Sequence, residues 1–256
     1  MSNKACLALL LDGPMQSWGS ASRFTRRTTE LFPTKSGIIG LLAAAMGVDK
    51  YKPDEAGAIA RLAALECTVI TLDKRRNNRR LDILRLEDFH TIGGGYHSDE
   101  DWQCRPRSAD NKTLNNPVVS QRHYLLDARF GALLEGEKAL LEGAAAALRN
   151  PKWGVWLGRK CCIPASPLLV LVAENRDAAW RALVTRAGYP DTTPLTQFNR
   201  VEDAALADEG GEILNDTPVA FGAPIGQRHT SRRVRKLHRT GPETVSRPGS
   251  TPYAYL

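Results

Sequence analysis

Seven residues near the N-terminus, Ala5 to Leu11, form an unbroken apolar run that closes on Asp12-Gly13-Pro14. The run is too short to span a bilayer and has the length of a strand buried on both faces. The turn after it uses Gly for positive φ and Pro to set the bend and withhold a ladder donor. A polar, basic passage with Trp18, Arg23, Phe24, Arg26 and Arg27 follows, and Pro33-Thr34-Lys35-Ser36 then announces a helix N-capped by Thr34 or Ser36. Ile38 to Met46 is apolar on nearly every face, and Gly47 stops it. A helix with no polar side has to be buried, so this strand and helix are expected at the centre of the fold. Gly37 and Gly40 are expected where another backbone comes close. The alternative is that the first-turn N–H groups, with Lys35 and Ser36 beside them, face a phosphate. A Walker A loop is excluded, because Thr29 and Thr34 stand where it needs glycine.

Charge narrows the partners. The 256 residues carry a net charge of +7, with a pI of about 9.3 and a mean hydropathy of -0.33. A soluble globular chain so basic favours an anionic partner, with nucleic acid first. The five cysteines, Cys6, Cys67, Cys104, Cys161 and Cys162, contain no CxxC pair, which argues against a disulfide framework and for a cytoplasmic setting. No targeting or membrane-spanning segment is expected.

The order of the remaining elements suggests a fold. A helix over Asp54 to Glu66, strands over Cys67 to Leu72 and Leu81 to Leu86, and a hairpin whose basic tip is Lys74 to Arg80 come first. Gly93 to Gln121 loses apolar periodicity, an excursion long enough to be functional or disordered. Arg122 to Phe130 is expected as a strand, Glu137 to Asn150 as a helix, and Leu168 to Ala173 as a strand. Without the small additions this is βαββαβ, an α+β fold with a ferredoxin-like sheet of the RNA-recognition type. Residues 1–173 would form that domain, with the 93–121 excursion as a protruding thumb hairpin. Residues 174–256 would form a smaller C-terminal region with a helix over Asn175 to Ala187. From Thr217 to Pro242 that region holds no acid, and Arg228 to Arg239 is densely cationic. Ser246 to Leu256 is expected to be disordered.

The residues support binding more than catalysis. None of the five histidines lies in an HExxH or Cys/His zinc spacing, so no metal or other cofactor is expected. A metal-free ribonuclease could use His123 and Tyr124 beside Arg122. Single-stranded RNA, in contrast, is held by a cationic track and by flat side chains that stack on bases. Trp153, Trp156, Arg159 and Lys160 supply both ingredients in one loop. The alternative is that the two Trp residues cap the core. Trp18, Arg23, Arg26 and Arg27 could extend the track, and Arg105, Arg107 and Lys112 are thumb contacts on charge alone. A third reading takes the Arg228 to Arg239 run as an element for double-stranded DNA.

Four blocks resemble a known family. Gly13-Pro14-Met15-Gln16 with Trp18-Gly19, Phe32-Pro33-Thr34-Lys35-Ser36-Gly37 with Gly40-Leu41-Leu42, Asp88-Phe89-His90-Thr91, and Leu157-Gly158-Arg159-Lys160 with Cys162 occur in the order found in CasD-type subunits of Cascade. Cascade is the type I-E CRISPR surveillance complex. The resemblance implies the RNA-recognition-type fold with its thumb, and a crRNA 5′ handle near the aromatic loop. It also implies a thumb that displaces a base at the guide's first kink, with a large subunit and a backbone subunit as neighbours. Target DNA would be met through the complex and no membrane would be involved. Relatives in type I-C systems cut precursor crRNA with a Tyr, a Lys and a His. Here Ser36 to Met46 has no Tyr and the chain has no Lys-His dipeptide, so a non-catalytic subunit is expected. His90 is then expected as a hydrogen-bonded residue at the base of the thumb.

Overall fold

The computed structural model describes residues 3–20, 25–77, 79–92, 117–205, 208, 210–222 and 227–240. The first half contains β1 (Lys4–Asp12), β2 (Met15–Gln16), β3 (Arg26–Arg27), α1 (Lys35–Met46), α2 (Glu55–Ala63) and β4 (Glu66–Thr71). The two-stranded hairpin β5 (Arg75–Arg76) and β6 (Arg79–Arg80) leads to β7 (Leu84–Ile92), β8 (Val118–Leu126) and β9 (Arg129–Glu137). Then come α3 (Lys138–Arg149), β10 (Leu169–Ala173), α4 (Arg176–Arg186), β11 (Arg200–Asp203), β12 (Glu212–Ala220) and β13 (Arg228–Leu237).

The apolar run is β1, and it lies between β9 and β10, antiparallel to both. Successive side chains of a strand point to opposite faces. Leu7, Leu9 and Leu11 accordingly pack in one core with Ile38, Leu42 and Leu141 of α1 and α3. Cys6, Ala8 and Leu10 pack in another with Trp180 and Leu183 of α4. Helices on both faces explain why the strand has no polar alternation, and each buried Leu contributes about 1.5–3 kcal/mol. The four strands β1, β4, β9 and β10 lie side by side in the order β10-β1-β9-β4, each antiparallel to its neighbour.

α1 begins at Thr34, whose hydroxyl accepts the Gly37 N–H at 3.3 Å, and ends at Gly47 with φ 73°. Gly37 is not required by another backbone: a Cβ there would sit 2.7 Å from the Trp18 ring. The third core strand also differs from expectation. Arg122 to Phe130 is two strands, because Asp127, with φ 51°, turns the chain between β8 and β9. β7 and β8 pair with each other outside the main sheet, joined by β2 and β3. Of the expected 93–121 thumb, residues 93–116 lie outside the described residues, and Val118 already belongs to β8. Ser246 to Leu256 lies outside them as well.

The C-terminal region continues the same sheet. β11 pairs with β4, β13 with β11 and β12 with β13, giving seven strands in the order β10-β1-β9-β4-β11-β13-β12. Among the described residues the strand pairing runs on past residue 173 without a break. Among the described residues, no helix is long and apolar enough to cross a membrane.

Candidate nucleic-acid interface

A cleft of about 620 Å³ opens along α1, from Ser36 to Ala44. One wall is α1 itself, through Leu41 and through Ser36, Gly37, Gly40 and Ala44, whose small or absent side chains leave the helix surface accessible. The second wall is the loop after α3. It is tied to the end of α1 by Lys152 N–H to Ala45 O (2.9 Å) and to the segment after β2 by Ser17 N–H to Leu157 O (3.0 Å). This loop presents Trp156 and Arg159 to the cleft, and Trp156 can fold onto the loop because Gly154 has no Cβ, which would strike its ring. Gly158 has φ 96°, and a side chain there would overlap the Ser17 carbonyl. Phe221 and His229, from β12 to β13, close the third side, with ring centroids 6.4 Å apart in an edge-on arrangement.

The β12–β13 hairpin is held over α1 by buried charge. Asp216, 1% exposed, accepts the Lys35 backbone N–H at 2.8 Å and Arg232 Nε at 2.7 Å. Asp203 bonds Lys35 Nζ at 2.9 Å and also pairs with Arg232. Burial raises the Asp203 carboxyl, but the Arg232 and Lys35 charges outweigh it and hold the group below the ordinary carboxylate range. His229 is pushed below the ordinary imidazole value by burial, against the opposing pull of Asp216, so it faces the cleft neutral at pH 7. Among the described residues the cleft is lined by two cations, Arg27 and Arg159, and by no carboxylate. Flat rings, fixed cations and an open helix surface suit an unstacked, phosphate-bearing strand.

The structure sorts the expected contacts. Trp156 and Arg159 line the cleft, Arg27 borders it, and exposed Arg26 shares β3 with Arg27. Ser36 also lines it, although 8% exposed. Trp153 is 42% exposed just outside, and Lys160 is exposed on the far side of Gly158. Two residues do not fit the role proposed for them. Trp18 is wholly buried, its indole N–H donating to Gln16 Oε1 at 3.0 Å, so neither ring face can stack on a base. Lys35 is 6% exposed with its ammonium on Asp203, and Asp216 occupies the helix N-terminus where a phosphate was considered. Arg23, Arg105, Arg107 and Lys112 lie outside the described residues.

Two rival arrangements lose their geometry. His123 and Tyr124 are adjacent in β8, so their side chains leave opposite faces. Tyr124 is 5% exposed, and burial, with a contact from Cys161, pushes its phenol up despite Arg159. His123 Nε2 lies 3.6 Å from Glu87 and has no hydrogen-bond partner among the described residues. The Arg228 to Arg239 run is no free cationic face: Arg232, its side chain 9% exposed, pairs with Asp216, Lys236 meets Glu212 at 2.6 Å, and Arg235 and Arg239 lie 3.9 and 3.8 Å from Asp208 and Asp73. His90 Nδ1, at 3.6 Å from Asp88, is too distant for a hydrogen bond, although its carbonyl accepts from Ser120 Oγ at 3.4 Å. Phe221 and His229 were missed by sequence reasoning. Their only signals were an aromatic before Gly222 and one His in a basic run.

Fold and cleft together define a class: an antiparallel α+β protein with a cationic, aromatic-lined groove over its first helix. Within that class the chain belongs to a CRISPR family, because the profile described as CRISPR-associated protein (Cas_Cas5) matches residues 6–235. CRISPR system Cascade subunit CasD of Escherichia coli K12 is 28% identical over 179 residues, 68% of this chain and 74% of that protein. A chain of a CRISPR RNA-guided surveillance complex superposes with a TM-score of 0.62 at 26% identity, covering 93% of this chain and 95% of that one. A crystallised Cas protein does so with a TM-score of 0.57 at 29% identity, covering 93% and 99%.

Proposed function

We propose that this chain is a non-catalytic subunit of a type I-E CRISPR surveillance complex, in the cytoplasm, that binds crRNA at its 5′ handle and nucleates assembly of the backbone. Its partners are the handle, the large subunit and a backbone subunit, with target DNA reached through the assembled particle. The observation that carries this reading is a cleft with no carboxylate among its described lining residues, where Trp156, Phe221 and neutral His229 offer rings while Arg27 and Arg159 offer charge. The similarity to the E. coli Cascade subunit and to a surveillance-complex chain supports it. The order β10-β1-β9-β4, corresponding to fourth, first, third and second of a βαββαβ unit, supports a ferredoxin-like core.

Incubating the full chain with labelled repeat RNA in EDTA tests both halves of the proposal. A shifted, uncut band is expected. Metal-free cleavage would overturn the non-catalytic reading, and equal affinity for handle RNA and unrelated duplex DNA would overturn the binding reading. For each phosphate neutralised, log K should fall by about 0.7 per unit of log salt.

A further inference from the structure

A second pocket, of about 630 Å³, lies behind the cleft and shares Arg27, Gly158 and Arg159 with it. We infer that this rear pocket is a phosphate seat for the same RNA strand, so that the backbone crosses the Gly158–Arg159 bar with bases on one side and a phosphate on the other. The inference rests on reading the cleft as an RNA site.

Four cations line the pocket: Arg27, Arg122, Arg159 and Lys160. No carboxylate lines it among the described residues. Asp88 stands nearby, opposite Arg122 in the β7–β8 register and 3.6 Å from His90, which lines the pocket too. The cations are held differently. Arg159 is a fixed bar: its guanidinium donates to the carbonyls of His123 (3.2 Å) and Arg27 (2.8 Å) and lies 4.7 Å from the Tyr124 ring centroid. Arg122 donates through Nε to Ser120 Oγ at 3.1 Å and forms no ion pair among the described residues. Arg27 and Lys160 are exposed and unpaired among the described residues.

A lined, acid-free concavity with unspent guanidinium and ammonium donors matches the multiple acceptors of a phosphate. The geometry also explains Arg27, whose main chain is pinned by Arg159 while its side chain borders both pockets. In this arrangement Arg159 is a positioning residue, and Arg27, Arg122 and Lys160 are the contacts.

Cys161 provides a reporter, since its exposed thiol lines the rear pocket while Cys6, Cys67 and Cys162 are buried. The full chain carrying Cys104→Ser is labelled with a maleimide, with and without handle RNA. RNA is expected to slow labelling of Cys161, and Lys160→Gln combined with Arg122→Gln is expected to abolish that protection. The same double variant should flatten the log K against log salt slope by about 0.7 for the lost phosphate. Should Arg122→Gln impair folding, exposed Lys160→Gln alone carries the slope test. Comparing 5′-hydroxyl with 5′-phosphoryl RNA tells the source: equal protection assigns an internal phosphodiester, and protection by the phosphorylated RNA alone assigns the terminal group. Unchanged labelling and an unchanged slope, in a protein that still binds RNA, overturn the seat and leave the cleft reading intact. Failure of the unsubstituted chain to bind RNA overturns the cleft reading itself.

Discussion

Removing the Asp216 carboxylate should loosen the cleft without touching any residue that lines it. Two cations, Lys35 and Arg232, balance two carboxylates, Asp203 and Asp216, inside the protein. The side chains of Asp216 and Arg232 are 0% and 9% exposed, so neither solvent nor counterions can replace a missing partner. In Asp216→Ala, Lys35 and Arg232 share Asp203 alone, and one positive charge is left buried without compensation. Breaking a buried pair in this way costs about 3–5 kcal/mol. The first helical N–H of α1, which now donates to Asp216 at 2.8 Å, is orphaned as well, for about 1 kcal/mol more. A loss of roughly 4–6 kcal/mol is a large share of the 5–15 kcal/mol typical of a domain. Urea denaturation should show a lower midpoint at unchanged slope. Arg232→Met in the same chain removes the stranded charge and should restore more than half of the loss, since the Lys35–Asp203 pair then stands balanced. A cost below about 1 kcal/mol, or no recovery in the double variant, would refute the account of buried charge.

Other consequences are smaller and independent. Trp156→Ala removes a stacking surface worth about 1–3 kcal/mol, so handle RNA should bind roughly 5- to 150-fold more weakly in a filter assay. Arg159→Lys cannot span the His123 and Arg27 carbonyls with one ammonium, and should lose about 1.5–3 kcal/mol of stability by urea titration. Because the folded-state Asp203 carboxyl is held below its unfolded value, its contribution is complete above the ordinary carboxylate range and lost as pH falls through the depressed value. Stability should therefore decline on acidification below about pH 4, and Asp203→Asn should flatten that decline.

Much of the architecture could be read from the chain because it depends on near neighbours. The apolar run of β1, the all-round apolar α1 between Thr34 and Gly47, and the helix expected over Asn175 to Ala187 each state their own local structure, and each stands where expected. Trp156 and Arg159 reach the same cleft for a similar reason, because they stand close together in one loop. Asp127 was not, because a single positive-φ residue splits an otherwise continuous strand pattern.

What the residues alone determined, then, was the alternation, the caps and the excess of positive charge. Where that charge is spent was decided only by the tertiary structure. Lys35 and Trp18 have the composition of a binding loop, yet one meets a carboxylate 168 positions away and the other is sealed beneath α1. The C-terminal cations met the reverse fate from the one their density suggested, while Phe221 and His229 were carried into the cleft by a strand pairing with no local signature. The physical reason is that caps and periodicity act over a few residues. Burial of a ring or pairing of a charge depends on which distant surface the folded sheet brings against it.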